Sequence, residues 1–248
     1  MPVILVTGAA KRIGREICLH FAAQGWDIIA HYHTSLDQAE ALRQDVAALG
    51  QKCWLVQADL GDEVHVQALI QRGIDQAQRI DVLVNNASTF AYDSIKTMDR
   101  QSWDHHVEPN LRAPILLIQE FSRLCRQGLV VNILDQRVLN LTPHYLSYSI
   151  SKYALWGATQ SLALALAPDI RINGIGPGPT LKNDRQTDQQ FEQQCEELPL
   201  GRQISPKEIA ETVDYLWKSP SVTGQIIAVD GGQHLGWSMP PSKSVRYD

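Results

Sequence analysis

The chain has 248 residues, 44% hydrophobic and 20% charged, with a formal net charge of −5 at pH 7. That suits one large α/β domain with a full core, and an acidic balance without a basic run excludes a general nucleic-acid binder. The cysteines Cys18, Cys53, Cys125 and Cys195 are scattered, with no Cys-x-x-Cys and no partner histidine spacing, which argues against a zinc site and for reduced thiols. The start, Met-Pro-Val-Ile-Leu-Val-Thr-Gly, enters a strand at once. With no signal-like leader and no apolar run of transmembrane length, a soluble, cytoplasmic protein that binds no membrane is expected.

Short apolar runs alternate with amphipathic stretches along the chain. Val3 to Thr7 reads as a buried strand, and 13 to 24 as a helix. Asp27 to His31 is a second strand. Ser35 or Asp37 caps a helix that runs to about Leu49 and ends at Gly50. Lys52 to Gln57 is a third strand, followed by a helix from about Glu63 to Gln78. Asp81 to Asn85 is a fourth strand, two helices cover roughly 99 to 126, and Gly128 to Ile133 is a fifth strand. A long helix over about 147 to 167 stops at Pro168. Asp169 to Asn173, Pro206 to Lys218 and Gln225 to Val229 complete the series as strand, helix and strand. Near-continuous apolar strands separated by helices predict a seven-stranded parallel sheet covered on both faces, a Rossmann-like doubly wound fold. One domain is expected over 1–236, with a tail at 237–248 that carries no periodicity.

Strand one runs into Thr7-Gly8-Ala9-Ala10-Lys11-Arg12-Ile13-Gly14 and then a helix. A glycine turn at that junction lets backbone amides approach a pyrophosphate at the positive helix end. Gly8 and Gly14 are present, but Arg12 replaces the usual middle glycine. Folds that choose NAD place an acid at the end of strand two to bind the ribose 2′-hydroxyl. Here strand two ends Ala30-His31-Tyr32-His33-Thr34-Ser35, with no acid. Imidazoles and hydroxyls, with Lys11 and Arg12 nearby, would welcome a 2′-phosphate, so NADP(H) is the expected cofactor. Strand-end packing is the plainer reading of His31 and His33. Asp59 and Leu60 follow strand three near an expected adenine position. Asn85-Asn86-Ala87-Ser88 closes strand four at the carboxyl edge of the sheet, where ligands bind in open α/β folds.

Tyr148-Ser-Ile-Ser-Lys152 places a phenol and an ammonium on one helix face, with Asp135 thirteen residues upstream. An ammonium beside a phenol lowers a pKa that starts near ~10, making the hydroxyl a usable proton donor. Alone, the same spacing also describes a surface lysine near a half-buried tyrosine. Asn110 in a helix, and Phe90 near the sheet edge, have ordinary structural readings too. Asp104, His105 and His106 read as a polar helix face, because their spacing matches no metal site.

In this order and spacing, Thr7-Gly8…Gly14, Asp59-Leu60, Asn85-Asn86-Ala87, Asn110, Tyr148…Lys152, Pro177-Gly178 and Asp230-Gly231-Gly232 resemble the short-chain dehydrogenase/reductase family. The resemblance implies hydride transfer with a nicotinamide, and a homotetramer. It makes Tyr148 the general acid, gives Lys152 the nicotinamide ribose, and has Asn110 anchor a water in the proton relay. Most members carry a serine where Asp135 stands. Asp135 and Arg12 together look like the pteridine reductases and the bacterial dihydromonapterin reductases, as do His31-Tyr-His33, Asn85-Asn-Ala-Ser-Thr-Phe90 and Gly176-Pro-Gly178. In that branch the aromatic matching Phe90 stacks over a pterin, Asp135 and Tyr148 face its reducible edge, Arg12 lies near phosphate and pterin, and Ser88 lies beside the cofactor. One mismatch stands out: Thr34 replaces an arginine of the pteridine reductases.

The expected cofactor set is therefore Gly8, Lys11, Arg12, Ile13, Gly14, His31, His33, Ser35, Asp59, Leu60, Asn86, Ala87, Ser88, Tyr148, Lys152, Pro177 and Gly178. The expected substrate set is Arg12, Ser88, Phe90, Asp135 and Tyr148. A flat heterocycle with several N–H donors suits an aromatic shelf and an acceptor carboxylate, and an ionised Asp135 would repel the alkoxide that forms from a ketone. The expectation is NADPH-dependent reduction of a C=N bond in a dihydropterin, with dihydrofolate a further substrate. A carbonyl reductase of 3-oxoacyl thioesters, or a non-catalytic NADP-binding sensor or scaffold, are the alternatives.

Overall fold

A computed structural model describes residues 1–182 and 186–236, so the tail expected from 237 onward lies outside the described residues. Residues on the short strand β1 (Val3–Val6) are all buried, and they alternate between two cores. Ile4 and Val6 point into the core on one face of the sheet, Val3 and Leu5 into the other. This alternation fixes the layers: a strand buried on both faces needs helices on both sides. In chain order the next elements are α1 (Arg12–Ala23), β2 (Asp27–Tyr32), α2 (Leu36–Ala48), β3 (Cys53–Gln57), α3 (Glu63–Ala77) and β4 (Val82–Asn85). Then come α4 (Arg100–Val107), α5 (Ala113–Cys125), β5 (Gly128–Ile133), α6 (Leu146–Leu166), β6 (Ile170–Pro177), α7 (Asp188–Glu196), α8 (Pro206–Lys218) and β7 (Ile226–Val229). Phe21 of α1 and Val213 of α8 fill the first core; Leu69 of α3, Phe121 of α5 and Ala163 of α6 fill the second.

The seven strands are parallel in the order β3-β2-β1-β4-β5-β6-β7. The expected Rossmann-like sheet is therefore present. Strand order reverses between β1 and β4, which pair from Ile4↔Val82 to Val6↔Val84. Connections leave these neighbours toward opposite faces, so a crevice opens beyond their carboxyl ends.

Three local features depart from the sequence expectations. The two helices foreseen over 99 to 126 are joined by a π-helical turn, Glu108–Arg112, with Pro109 inside it. Such bulges re-aim side chains, and this one turns Asn110 inward to full burial. Strand β6 continues to Pro177, past the expected end at Asn173. Its Gly174 and Gly176 look like strand breakers in sequence, but a Cβ on Gly174 would lie 2.4 Å from Leu134 Cδ1, so the glycine serves close packing. Helix α7 was not foreseen because it is mostly polar; the Thr187 hydroxyl accepts from Gln190 N at 3.2 Å and Gln190 Oε1 accepts from Thr187 N at 2.9 Å, a capping box.

The carboxyl edge is braced by buried polar groups. Asn85 Nδ2 donates to Asn132 Oδ1 at 2.8 Å, and Asn132 Nδ2 donates to Thr159 Oγ1 at 2.8 Å, tying β4 to β5 and α6. At the far end, Arg171 donates to the carbonyls of Leu216, Trp217, Ser219 and Val222, closing the C-terminus of α8 with a cation where the helix dipole favours one. Among the described residues no helix is long and apolar enough to cross a membrane, and no cluster of three or more His, Cys, Asp or Glu is placed to hold a metal.

Candidate active site

The turn after β1 is built by contact rather than by flexibility. Gly8 has φ +62°, and a Cβ there would lie 3.0 Å from Ala87 Cα. A Cβ on Gly14 would stand 2.3 Å from the Gly8 carbonyl oxygen. Both positions therefore require glycine. Arg12, where the fingerprint has its middle glycine, holds φ +55°, so the left-handed turn survives the substitution. The opposing loop is fastened by Thr7, whose hydroxyl oxygen accepts from Asn86 N at 2.9 Å and Ala87 N at 3.0 Å. Asn86 Nδ2 answers by donating to the Thr7 carbonyl at 2.8 Å. At the start of α1 no side chain caps the helix and no acid occupies the first turn. Amides of Ile13 and Gly14 at a positive helix end, beside exposed Lys11 and Arg12, fit a pyrophosphate.

His31 is corrected by the structure. It is 2% exposed, accepts from Gly8 N through Nδ1 at 3.0 Å, and its Nε2 faces the Ala58 carbonyl at 3.2 Å. That pattern belongs to a neutral ring protonated on Nε2. Burial drives its pKa from 6.5 down to about 4, so it carries no charge for a phosphate. It props the glycine turn instead. At this end His33 is exposed, its Nε2 3.6 Å from Asp59 Oδ2, and Ser35, at the head of α2, is half-buried and its side chain makes no capping bond. Asp59 accepts from Gly61 N at 2.8 Å, while Leu60 is buried beneath it. On the other side of the crevice, Pro177 ends β6 and Gly178 N donates to Val229 O at 3.0 Å; a Cβ on Gly178 would sit 2.7 Å from Asp230 Cα.

The structure brings Asp135, Tyr148, Phe90 and Lys152 together. Tyr148 donates its hydroxyl proton to Asp135 Oδ2 at 2.9 Å. Phe90 meets Tyr148 edge-on at 4.7 Å between centroids, and stacks on Tyr145 at 4.6 Å. Lys152 donates to the Ile133 carbonyl at 2.8 Å, and its ammonium is 5.9 Å from the Tyr148 ring centre. The expected effect of Lys152 on Tyr148 is thereby reversed in balance. Burial first, and then the Asp135 charge, hold the phenol well above its ordinary value, because the carboxylate and not the ammonium touches the hydroxyl. Burial also lowers Lys152 to about 8. Asn110 is pinned by both ends: Oδ1 accepts from Thr89 N at 2.9 Å, and Nδ2 donates to Thr89 O at 3.0 Å. Ser88 is exposed at the lip, with its hydroxyl on the Thr89 carbonyl at 3.3 Å. Arg12 stays at the rim, donating to the carbonyls of Leu181 and Lys182, each at 2.9 Å.

Three features were missed. His106 is fully buried, against the expectation of a polar helix face. Its Nε2 accepts from Ala91 N at 2.9 Å, its Nδ1 donates to Ser147 Oγ at 2.7 Å, and Ser147 in turn donates to Asp93. Proton direction runs from imidazole to serine to carboxylate, which does not activate the serine and instead locks the loop after β4 onto α6. Tyr145 stands just before α6 in a left-handed turn, φ +56°, three residues ahead of Tyr148. Arg137 donates to Asp135 Oδ2 at 2.9 Å, and no pattern short of the loop's own shape announces it.

The model of the family described as enoyl-(acyl carrier protein) reductase matches residues 8–234. The chain is also similar to the 3-oxoacyl-[acyl-carrier-protein] reductase FabG of Staphylococcus aureus, at 33% identity over 93% of this chain and 97% of that protein. This chain belongs to the short-chain dehydrogenase/reductase family. Among solved structures, FolM alternative dihydrofolate reductase 1 from Brucella suis, in complex with NADP, superposes with a TM-score of 0.93 at 44% identity, covering 96% of this chain and 97% of that one. A blue fluorescent protein from a metagenomic library, in complex with NADPH, gives 0.88 at 31% identity over 93% and 97%.

The buried, neutral His31 sets a pH dependence of stability. Its folded pKa lies below the unfolded value of 6.5, so the unfolded chain binds the extra proton. The stabilisation is complete above pH 6.5 and is lost as pH falls toward about 4, by up to about 3 kcal/mol. Urea midpoints measured from pH 7 to 4.5 should fall steeply in the parent. In His31→Gln, which can still accept from Gly8 N, the slope should be visibly shallower.

Proposed function

We propose that this protein is an NADPH-dependent reductase of a C=N bond in a dihydropterin, producing the tetrahydropterin, and that it also takes dihydrofolate. One observation carries the reading: a carboxylate, Asp135, bonded to the family's tyrosine beneath the rings of Phe90 and Tyr145. A ketone reductase needs a hydrogen-bond donor at Asp135's position. An ionised Asp135 can only accept, which suits the N–H groups of a pterin. The likeness to FolM alternative dihydrofolate reductase 1, bound to NADP, supports the same substrate class.

A nicotinamide held in the crevice would supply the hydride. The chain's own residues handle the proton and the orientation. Phe90, backed by the stacked Tyr145 ring, offers a flat surface for an electron-poor ring. Asp135 accepts a ring N–H, and Tyr148 delivers its proton to the ring nitrogen that the reduction makes basic. The Lys152 ammonium then gains interaction energy as the phenolate forms, which stabilises the charge only after it develops. Asn110, held by Thr89, keeps the π-helical turn in place at the inner end of the site, where it can anchor a water. Lys11, Arg12, His33 and Ser35 surround the 2′-phosphate end. The free cysteines suit a reducing, cytoplasmic setting. A 3-oxoacyl thioester reductase is the second reading, favoured by the FabG likeness. Following NADPH absorbance against a dihydropterin, dihydrofolate and an acetoacetyl thioester separates the two; turnover of the thioester alone would favour the second, and cofactor binding without oxidation would mean a sensor or scaffold.

Assembly is the proposal's third part. Ile150, Tyr153 and Leu164 leave an apolar stripe on the outer side of α6, with Leu164 83% exposed. Such a stripe calls for a two-fold mate, and a homotetramer is the expected state. Light scattering at micromolar concentration checks it, and a monomer there ends the idea.

Cofactor preference follows from the missing acid after β2. NADPH should bind better than NADH by about 1.4 kcal/mol or more, a tenfold ratio in dissociation constants measured by fluorescence titration. Tyr148→Phe should lower kcat by about 10²–10⁴-fold with NADPH affinity nearly unchanged. Asp135→Ser should weaken dihydropterin turnover and admit weak carbonyl reduction. Unchanged pterin turnover in Asp135→Ser would reduce Asp135 to a bystander.

A further inference from the structure

We infer that Arg137 is a positioning residue for the reduction, clamping the Asp135 carboxylate toward Tyr148 and offsetting its negative charge beside the phenol. The inference rests on the proposed roles of Asp135 and Tyr148. The clamp has two jaws. Asp135 heads a short 3-10 turn, Gln136–Val138, and its Oδ1 accepts from Arg137 N at 2.8 Å. Its Oδ2 accepts from the Arg137 guanidinium and from the Tyr148 hydroxyl, both at 2.9 Å. One carboxylate oxygen is thus shared by the cation and the proposed proton donor. Turning it away from Tyr148 would break both of its bonds.

An ion pair between residues two apart in a loop is ordinarily a solvated contact worth little. Two observations set this one apart. The Asp135 and Arg137 side chains are only 13% and 24% exposed. The guanidinium carbon also lies 5.6 Å from the Phe90 ring centre and 5.5 Å from that of Tyr145, so the two rings that form the shelf also hold the cation. Arg137 therefore joins three parts of the site: the carboxylate, the aromatic shelf and, through the shared oxygen, the phenol.

The groups that face Tyr148 can be named. Asp135 and Arg137 come from the loop after β5, Lys152 from one turn further along α6, and His106 from α4 with its ring 5.9 Å away. Burial and then the Asp135 charge make the phenol reluctant to ionise, and Arg137 acts against them. Without the guanidinium, the phenol faces an unbalanced carboxylate at contact distance. It becomes a weaker acid, and the proton transfer slows.

The test uses the NADP⁺-bound protein and three variants: Arg137→Met, which keeps a long apolar stem, Arg137→Gln as a second neutral form, and Arg137→Lys. Ionisation of Tyr148 is read by ultraviolet difference titration, each protein against its own Tyr148→Phe counterpart. Turnover is followed across pH. The neutral variants should raise the pH of Tyr148 ionisation by about one unit, as expected for removing a unit charge at this range. The high-pH limb of kcat should move up with it, while kcat at neutral pH drops about tenfold and KM changes less. Arg137→Lys should restore the titration but only part of kcat, because an ammonium keeps the charge without the planar fork. A displaced titration in a protein that reduces no dihydropterin would support the clamp and sink the pterin reading. An unmoved titration in both neutral variants, with turnover either intact or lowered equally at every pH, would overturn the inference.

Discussion

The crevice on which the candidate site is built follows from one constraint, the reversal of strand order between β1 and β4. Two neighbouring strands send their connections to opposite faces, and the backbone cannot fill the space between them. That gap would be a weakness without cross-links. The Thr7 hydroxyl and the Asn86 amide close its floor, and the neutral His31 ring supports the glycine turn from behind. The polar groups are satisfied by one another, so the floor is rigid before any ligand arrives. The helix that begins there is left without a side-chain cap, so its first amides stay free to meet an anion.

Above that floor the chemistry is arranged by burial. Tyr148 and Lys152 lie on one helix face, as the four-residue spacing requires, but the ammonium is spent on the Ile133 carbonyl and the hydroxyl on a carboxylate. This resting arrangement keeps the proton on the phenol. In the proposed reduction that reluctance would keep the proton from water, and the Arg137 guanidinium, which acts against it, would keep it from slowing the transfer. The second buried network, His106 to Ser147 to Asp93, does no comparable work on substrate. It fixes the loop that carries Phe90 against the helix that carries Tyr148, so the ring and the hydroxyl keep their spacing.

Much of this could be read from the residues. Strands such as Val3–Val6 and Val82–Asn85 are short and apolar throughout, and that signature allows little besides a covered parallel sheet. The pairing of Asp135 with Tyr148 was legible through the family resemblance, in which Asp135 stands where most members carry a serine. What escaped had physical causes. Helix α7 lacks an apolar stripe, so no period marks it. His31 looked like a ligand because a histidine at a strand end is polar by type, whereas its role depends on burial and on the Gly8 amide it receives. His106 looked exposed because its neighbours Asp104 and His105 are polar, and only the packing of α4 on α6 turns it inward. Arg137 gains its meaning from a loop whose path no local pattern encodes.

The rim residue Arg12 has one more consequence. Its backbone belongs to the phosphate turn, and its guanidinium is bonded to Leu181 and Lys182 across the crevice, in the segment after β6. A donor fork that serves one side is unavailable to the other. Any anion that draws the guanidinium inward loosens the far wall, and any ligand that holds the far wall shut tempers the pull on the anion. By reciprocity each occupant would then alter the other's affinity by the same factor. Such a coupling would pass through a single side chain, in the place where related turns carry a glycine with nothing to reach across.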